Sequence, residues 1–145
     1  MNIELFVELI VTDNTARTAF STLQNMGFKE ITKLKRYEYY AFLTAEDIFD
    51  KLTKVDLLVN ANKHRALKTV PLEKDQALVI VKDSENNGSG VLHTLTHRLG
   101  FEGINSVEKG VAWVLTIEGN RKIVAKKAAE QLLMNEHFQD AVYRF

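Results

Sequence analysis

The sequence predicts an α+β fold that consists of two tandem β-α-β-α-β repeats. The first observation is internal similarity, since residues 57–60 (Leu-Leu-Val-Asn) are matched by residues 132–135 (Leu-Leu-Met-Asn), and residues 10–13 by residues 80–83. The second is that apolar residues alternate along some segments, as in strands, and recur at helical spacing along others. Two copies are too few for a solenoid, so we expect a fused pseudo-dimer with antiparallel sheets and helices on one face.

Repeat 1 comprises residues 1–71 and begins with alternating apolar residues, which are typical of a strand with one buried face. Its predicted elements are, in order, a strand over 2–11, a helix from Asp13 or Asn14, a strand over 29–43, a helix after Thr44 and a strand over 65–70. Gly27 suits the left-handed C-terminal cap of the first helix, and Thr44 with Asp47 resembles a capping box for the second. Pro71, the only proline, marks the boundary.

Repeat 2 comprises residues 72–145 and follows the same order. Its predicted elements are a strand over 76–82, a polar turn over 84–90, a helix that ends at Gly100, a strand over 104–117, a helix from about Arg121 and a strand over 141–145. This order is ferredoxin-like, with helices packed on one face of an antiparallel sheet.

The middle strand of repeat 2 is apolar on both faces, with Trp113 on one and Val114 on the other. A sheet with helices on one side normally shows polar residues on the other, so the second face needs a cover. We expect the other repeat or another subunit to supply that cover. Repeat 1 offers four aromatic residues there: Tyr37, Tyr39, Tyr40 and Phe42.

Composition narrows the function classes. The chain has 19 basic and 19 acidic residues and a formal net charge of zero, which argues against binding to nucleic acid or to an anionic membrane surface. It has no cysteine, so neither disulfides nor thiolate chemistry is expected. The N-terminal segment has no basic leader, and no apolar run is long enough to span a membrane. These features predict a cytoplasmic protein.

The end of repeat 2 resembles the PurS family. Residues 128–135 (Ala-Ala-Glu-Gln-Leu-Leu-Met-Asn) are followed by a break and a final strand, as PurS chains end in a helix closing on Leu-Leu-Ala-Asn-Pro and then a strand. The helix that ends in Gly100-Phe101 and the strand over 107–111 are also similar. A PurS chain has the length of one repeat, so the resemblance covers the whole chain as two fused units.

The sequence departs from the family pattern at two kinds of position. The family has an arginine ahead of a Gly-Lys pair on the middle strand, whereas repeat 2 has Lys109-Gly110 after a glutamate, and repeat 1 has no glycine there. The proline that follows the helix in the family is Glu136 in repeat 2 and Ala61 in repeat 1. These departures concern contacts at the middle strand rather than the fold.

The resemblance implies a role. PurS proteins are small, non-catalytic subunits of phosphoribosylformylglycinamidine synthase, which bridge its ATP-using synthetase subunit and its glutaminase subunit in purine biosynthesis. They fold as dimers, and a tandem chain would supply the dimer covalently. The resemblance therefore implies synthetase and glutaminase partners, and we also expect a homo-oligomer.

Few residues predict chemistry, and we expect no catalytic residue, cofactor or metal ion. A partner interface is predicted on the middle strands at Arg36, Tyr37, Tyr39, Lys109 and Gly110. The backbone of Gly88, Ser89 and Gly90 precedes a predicted helix and could hold an anion, or it could be a plain turn. His93 and His97 are four residues apart on a helix, but no third metal ligand follows.

The sequence is also compatible with two other function classes. The first is a regulatory protein that binds a small molecule between paired ferredoxin-like units, as ACT-type regulators do. The second is a binder of single-stranded nucleic acid, because a group of basic residues lies next to a group of tyrosines: Lys33, Lys35 and Arg36 precede Tyr37, Tyr39 and Tyr40. The fold alone does not choose between them, since ferredoxin-like folds serve many functions.

Overall fold

The computed structural model describes residues 1–84 and 88–145. The strands are β1 (Asn2–Leu9), β2 (Ile31–Thr44), β3 (His64–Leu67), β4 (Gln76–Asp83), β5 (Ile104–Ile117) and β6 (Gln139–Arg144). The helices are α1 (Asn14–Asn25), α2 (Phe49–Leu52), α3 (Ser89–His93) and α4 (Arg121–Ala128). Helices α3 and α4 continue into π-helical turns over Thr94–Arg98 and Ala129–Leu133. The predicted α+β class is confirmed.

The six strands form one antiparallel sheet in the order β3-β1-β2-β5-β4-β6. The strands of residues 1–71, the first half, lie together on one side, and those of residues 72–145, the second half, lie on the other. The long strands β2 and β5 meet in the middle, with Glu38 directly opposite Val111. Strands β2 and β5 have the same length, and each residue of β2 corresponds to the residue of β5 that is 73 positions further on. Since 111 − 38 = 73, Glu38 lies opposite its own equivalent, and a local two-fold axis passes between these two residues.

The strand registers also correct one predicted match between the halves. Val7 and Val81 are equivalent, because each lies opposite the alanine at the same place on the edge strand of its half. Their spacing is 81 − 7 = 74, so the predicted match of residues 10–13 with residues 80–83, at a spacing of 70, is wrong. The reason is that β1 ends at Leu9, whereas residues 80–83 lie within β4.

One face of the sheet, the helix face, carries the main core. Leu5 lies beside Tyr40 on this face, and Val79 lies beside Trp113. The core cluster of the first-half strands includes Leu95 from the second half, which follows α3. The cluster around Val79 and Trp113 includes Ala16 and Leu23 of α1, from the first half. Each half thus contributes a helical segment to the core over the other half's strands.

The opposite face, the second face, is buried although no helix of the described residues packs against it. Its cluster, the second-face cluster, consists of Phe6, Tyr37, Tyr39, Ala41, Leu78, Ile80, Ala112 and Val114. Arg144 on β6 forms an ion pair at 2.8 Å with Glu4 on β1. These two strands are four spacings apart, which is about 19 Å in a flat sheet. Two side chains cannot bridge that distance, so the sheet must curve with the second face on its inside.

The connection from β3 to β4 supplies the rest of the cover. Val70 and Leu72 of this connection pack against the second-face cluster. Its end is held by Arg121 Nη1, which donates hydrogen bonds to the carbonyl oxygens of Lys74 (2.8 Å) and Gln76 (3.1 Å). The cover expected from the other repeat is therefore present in part, because Tyr37 and Tyr39 of the first half pack in one cluster with Val114 of the second half, and this connection adds to it. Of the four expected aromatic residues, two lie on the helix face instead: Tyr40 and Phe42.

Helix α2 is shorter than its apolar spacing predicts. Asp47 Oδ1 accepts a hydrogen bond from Phe49 N–H at 3.1 Å, whereas the Thr44 hydroxyl donates to the carbonyl of Glu46, so the predicted capping box does not form. The hydroxyl of Thr53 donates to the carbonyl of Asp50 at 2.7 Å, which competes with the helical ladder after a single turn. No helix among the described residues is long and apolar enough to cross a membrane.

Candidate functional site

Three of the five predicted interface residues lie on the second face. Tyr37 and Tyr39 are 5% and 3% exposed, and their rings contact Phe6 with centroid distances of 6.3 and 5.3 Å. Gly110 lies opposite Tyr39, and a Cβ there would lie 2.2 Å from the carbonyl oxygen of Val81. The tyrosine rings are therefore held inside the chain, and Gly110 allows β4 and β5 to approach.

The other two predicted residues lie on the helix face. Arg36 binds Asp13 through two hydrogen bonds, Nε to Oδ2 at 3.1 Å and Nη2 to Oδ1 at 3.3 Å. Asp13 Oδ1 also accepts from Ala16 N–H at 3.1 Å, so this carboxylate caps α1 and ties it to β2. Lys109 lies opposite Tyr40 and is exposed. The predicted interface is thus divided between two faces, and Lys109 is its exposed member.

A polar cluster closes one end of the second face. Glu4 Oε2 accepts a hydrogen bond from the Tyr39 hydroxyl at 2.6 Å, and both carboxylate oxygens accept from the Arg144 guanidinium at 2.9 and 2.8 Å. Burial alone would raise the pKa of Glu4, but the hydrogen bonds from Arg144 and Tyr39 outweigh it and lower this pKa. Burial, and then the bond to Glu4, raises the pKa of Tyr39. This cluster, the clamp, joins β1, β2 and β6 across the sheet.

Ion pairs flank the second face in both halves. At equivalent positions, an acidic residue of one half is a basic residue in the other half, and the reverse. Glu8 Oε1 lies 3.1 Å from Lys35 Nζ and 3.0 Å from Arg65 Nη2. Burial would raise the pKa of Glu8, but the hydrogen bonds from Lys35 and Arg65 lower it. The equivalent residues of the second half, at 74, 73 and 75 positions further on, are Lys82, Glu108 and Asp140.

The second half also forms an ion pair at these positions, with the two charges reversed. Lys82 Nζ lies 2.8 Å from Glu108 Oε2, and Asp140 lies opposite Lys82 on β6. Where the first half has a carboxylate between two cations, the second half has an ammonium group paired with one carboxylate and a second acidic residue on the neighbouring strand. A ligand or partner that reaches both ends of the second face would therefore meet opposite charges.

A cleft of about 510 Å³ opens beside the second face and is lined by both halves and by the connection between them. Lys33 and Tyr37 come from β2, Thr116 comes from β5, and Pro71 comes from the connection. Gln76 Nε2 donates to the Thr116 hydroxyl at 3.1 Å. The volume suits a small molecule, and the exposed Lys33 ammonium and the hydroxyls suit an anionic or hydroxylated one.

The predicted anion site lies at the start of α3. Gly88 is buried, and a Cβ there would lie 1.9 Å from the carbonyl oxygen of Val107 on β5, so close packing explains this glycine. Ser89 and Gly90 are exposed in the first turn of a helix of five residues. Residues 85–87 of the predicted turn lie outside the described residues. Anion binding here stays a prediction.

The histidine pair lies further along the same helical segment. The rings of His93 and His97 are exposed, with a centroid distance of 4.5 Å. Within residues 1–84 and 88–145, no three side chains of the metal-ligating types are grouped so that they could hold a metal ion.

Sequence reasoning missed the clamp formed by Glu4, Tyr39 and Arg144. A signal was present, because alternation along β1 places Glu4 and Glu8 on the same face as Phe6. Carboxylates on an apolar face need partners, which predicts cations nearby. The identity of Arg144 as the partner of Glu4 could not be predicted, since it depends on the curvature of the sheet.

The chain was compared with protein families and with curated proteins. No family model matches it, and no curated protein matches it.

Proposed function

We propose that this chain is a non-catalytic bridging subunit that resembles PurS proteins. It would join the synthetase and glutaminase subunits of phosphoribosylformylglycinamidine synthase in cytoplasmic de novo purine biosynthesis. The observation that carries the proposal is the strand order, in which each half supplies three adjacent strands and the halves meet along β2 and β5. PurS proteins fold as dimers, and fusion removes the translational cost of pairing, because the second half stays at high local concentration.

Matching turns in the two halves support an origin as two ferredoxin-like repeats. Asn60 Oδ1 accepts from the backbone N–H two residues further on at 3.0 Å, and Asn135 Oδ1 does the same at 3.1 Å. Each asparagine N–H also donates to the side chain four residues on, at 3.0 Å from Asn60 to His64 and 2.9 Å from Asn135 to Gln139. The same local hydrogen bonds recur at a spacing of 135 − 60 = 75 residues.

The shifted pKa values on the second face support a scaffold rather than an acid–base catalyst. A catalytic acid or base works best when its pKa is near the operating pH. The pKa values of Glu4 and Glu8 are lowered and that of Tyr39 is raised, so all three move away from neutrality. Each group is fixed in one protonation state, as suits side chains that hold a sheet together.

Complex formation tests the proposal directly. The purified chain is mixed with the synthetase and glutaminase subunits of its source organism, and the mass of the eluted species is measured by light scattering. We expect a complex that contains all three proteins. A chain that binds neither subunit would contradict the proposal.

A charge reversal locates the contact. Lys109→Glu changes the exposed residue of the predicted interface and should weaken assembly on the order of tenfold, since rim charges steer association. Lys126→Glu, on the exposed side of α4, is the matched control and should assemble like the parent. If both variants assemble equally well, the contact does not involve Lys109.

A small-molecule regulator of the ACT type is the second proposal, and the cleft between the halves favours it. A ligand that binds only the folded chain raises the melting temperature. A thermal-shift screen with amino acids and nucleoside monophosphates tests this, with Lys33→Glu as the variant that should abolish a shift caused by an anionic ligand. No shift with any compound at saturating concentration argues against this function.

Binding of single-stranded nucleic acid has less support, because stacking on bases needs exposed aromatic rings. The rings of Tyr37 and Tyr39, on which that proposal depends, are buried. Binding of an oligonucleotide that weakens steeply with salt would restore this alternative.

A further inference from the structure

The two edge strands of the sheet are equivalent in position but differ in what protects them. The matching turns place Phe138 at the position of Lys63, since 138 − 63 = 75, and Tyr143 at the position of Lys68. Lysines along an edge strand discourage pairing with another chain. Lys63 and Lys68 flank β3 and protect that edge, whereas the same two positions at β6 are Phe138, just before the strand and 68% exposed, and Tyr143.

Within residues 1–84 and 88–145, β6 pairs only with β4, so its other edge is available for pairing. Ser84 N–H donates to the carbonyl of Phe138 at 2.8 Å, so this carbonyl faces β4. Because backbone groups alternate along an antiparallel strand, Asp140, Val142 and Arg144 also direct their N–H and C=O groups towards β4. The N–H and C=O groups of Ala141 and Tyr143 then face outwards, away from the sheet.

We propose that β6 pairs antiparallel with β6 of a second copy of this chain, with Val142 at the two-fold axis. In this register Ala141 lies opposite Tyr143 of the second copy, and the reverse pair forms by symmetry. Each of these pairs can exchange two hydrogen bonds, because both residues direct their backbone groups outwards. The side chain of Ala141 is small, which leaves room for the neighbouring Tyr143 ring.

Charge selects this register over its neighbours. With Val142 at the axis, Asp140 lies opposite Arg144 of the second copy, in a pair of the close, non-hydrogen-bonded kind. Centring on Ala141 or Tyr143 also allows backbone bonds, but Asp140 then has no cation opposite it. The Arg144 side chain is 44% exposed, and its bonds to Glu4 use two of five guanidinium N–H groups, so it can also accommodate a carboxylate.

The apolar surface of β6 agrees with this pairing. Val142 is 38% exposed and would contact its own copy at the axis. Phe145 is also exposed, and its ring lies parallel to that of Tyr143 with a centroid distance of 6.4 Å. An interface made by one strand edge is small, so we expect association that depends on concentration. This surface is separate from Lys109, where partner binding is proposed.

The molar mass of the chain alone tests the inference, because no partner protein is needed. Sedimentation equilibrium over a range of micromolar concentrations should give a mass that rises from 16.5 kDa towards 2 × 16.5 = 33.0 kDa. Val142→Lys puts two ammonium groups opposite each other at the axis and should weaken association at least tenfold, about 1.4 kcal/mol. Lys68→Glu, on the other edge, is the control and should leave the mass unchanged.

A second variant distinguishes loss of the dimer from loss of the fold. Ala141→Pro removes an N–H that faces outwards and leaves the bonds to β4, so it should also give a monomer with unchanged circular dichroism. The inference is overturned if the parent chain stays at 16.5 kDa at every concentration. It is equally overturned if a folded Ala141→Pro variant dimerises like the parent, or if Lys68→Glu abolishes the dimer.

Discussion

Replacing Gly110 with alanine tests the close packing of the central strands. Gly110 lies opposite Tyr39 on β2 and opposite Lys82 on β4. A Cβ on Gly110 would lie 2.2 Å from the carbonyl oxygen of Val81 and 3.1 Å from its carbonyl carbon. Both are backbone atoms, so the contact can be relieved only if β4 and β5 move apart.

The expected loss in the free energy of unfolding follows from that contact. The methyl group is too close by roughly 1 Å for an ordinary van der Waals contact. Overpacking of this kind costs about 1–3 kcal/mol, and weakening one ladder hydrogen bond adds about 1 kcal/mol. The smaller entropy of the unfolded alanine chain offsets about 0.4–1 kcal/mol. We therefore expect Gly110→Ala to lower the free energy of unfolding by about 1–3 kcal/mol.

Scanning calorimetry measures this loss. For a chain of 145 residues, the entropy of unfolding near the midpoint is about 0.3 kcal/mol/K, so the melting temperature should fall by roughly 3–10 °C. Gly90→Ala is the matched control, because a Cβ there meets nothing within 4 Å in the first turn of α3. It should not lower the melting temperature. A Gly110→Ala variant as stable as the parent would refute the packing argument.

Three further predictions concern stability, measured by urea denaturation. Trp113→Ala should cost about 3–5 kcal/mol, because Trp113 is 7% exposed in the core of the helix face; a loss below that range would mean that the ring contributes little. Asn60→Ala and Asn135→Ala should each cost about 1 kcal/mol, and unequal losses would contradict the equivalence of the two turns. Glu4 and Glu8 have lowered folded pKa values, so their contribution is complete above the ordinary value of 4.5 and is lost as the pH falls through the folded values. The Glu4→Gln/Glu8→Gln double variant should lose less stability on acidification. If its free energy of unfolding falls with pH as steeply as that of the parent, this prediction is contradicted.

Local patterns located most of the secondary structure. The strand predicted over 104–117 is observed as Ile104–Ile117, and the one predicted over 76–82 as Gln76–Asp83. Alternation and apolar content are strong along both segments, and turn residues bound them. Helix α2 is shorter than the apolar spacing after Asp47 predicts, because only Phe49 and Leu52 lie in the helix. Three further apolar residues at helical spacing are buried although they lie outside it: Ile48, Val55 and Leu58.

The cover of the second face could not be predicted from local patterns. It depends on the curvature of the sheet and on the ion pair of Glu4 with Arg144, which are 140 residues apart in sequence. The division of the predicted interface was predictable, since strand alternation places Arg36 on the face opposite Tyr37 and Tyr39. The match of residues 10–13 with residues 80–83 failed because a short similarity in sequence does not fix the register of a strand.

The proposed bridging role is tested most directly by the rate of formylglycinamidine ribonucleotide synthesis in a reconstituted system. The purified synthetase and glutaminase subunits of the source organism are assayed with glutamine and, separately, with free ammonia, each with and without this chain. We predict that the glutamine-dependent rate requires the chain, whereas the ammonia-dependent rate does not. Equal glutamine-dependent rates with and without the chain would contradict the proposed function.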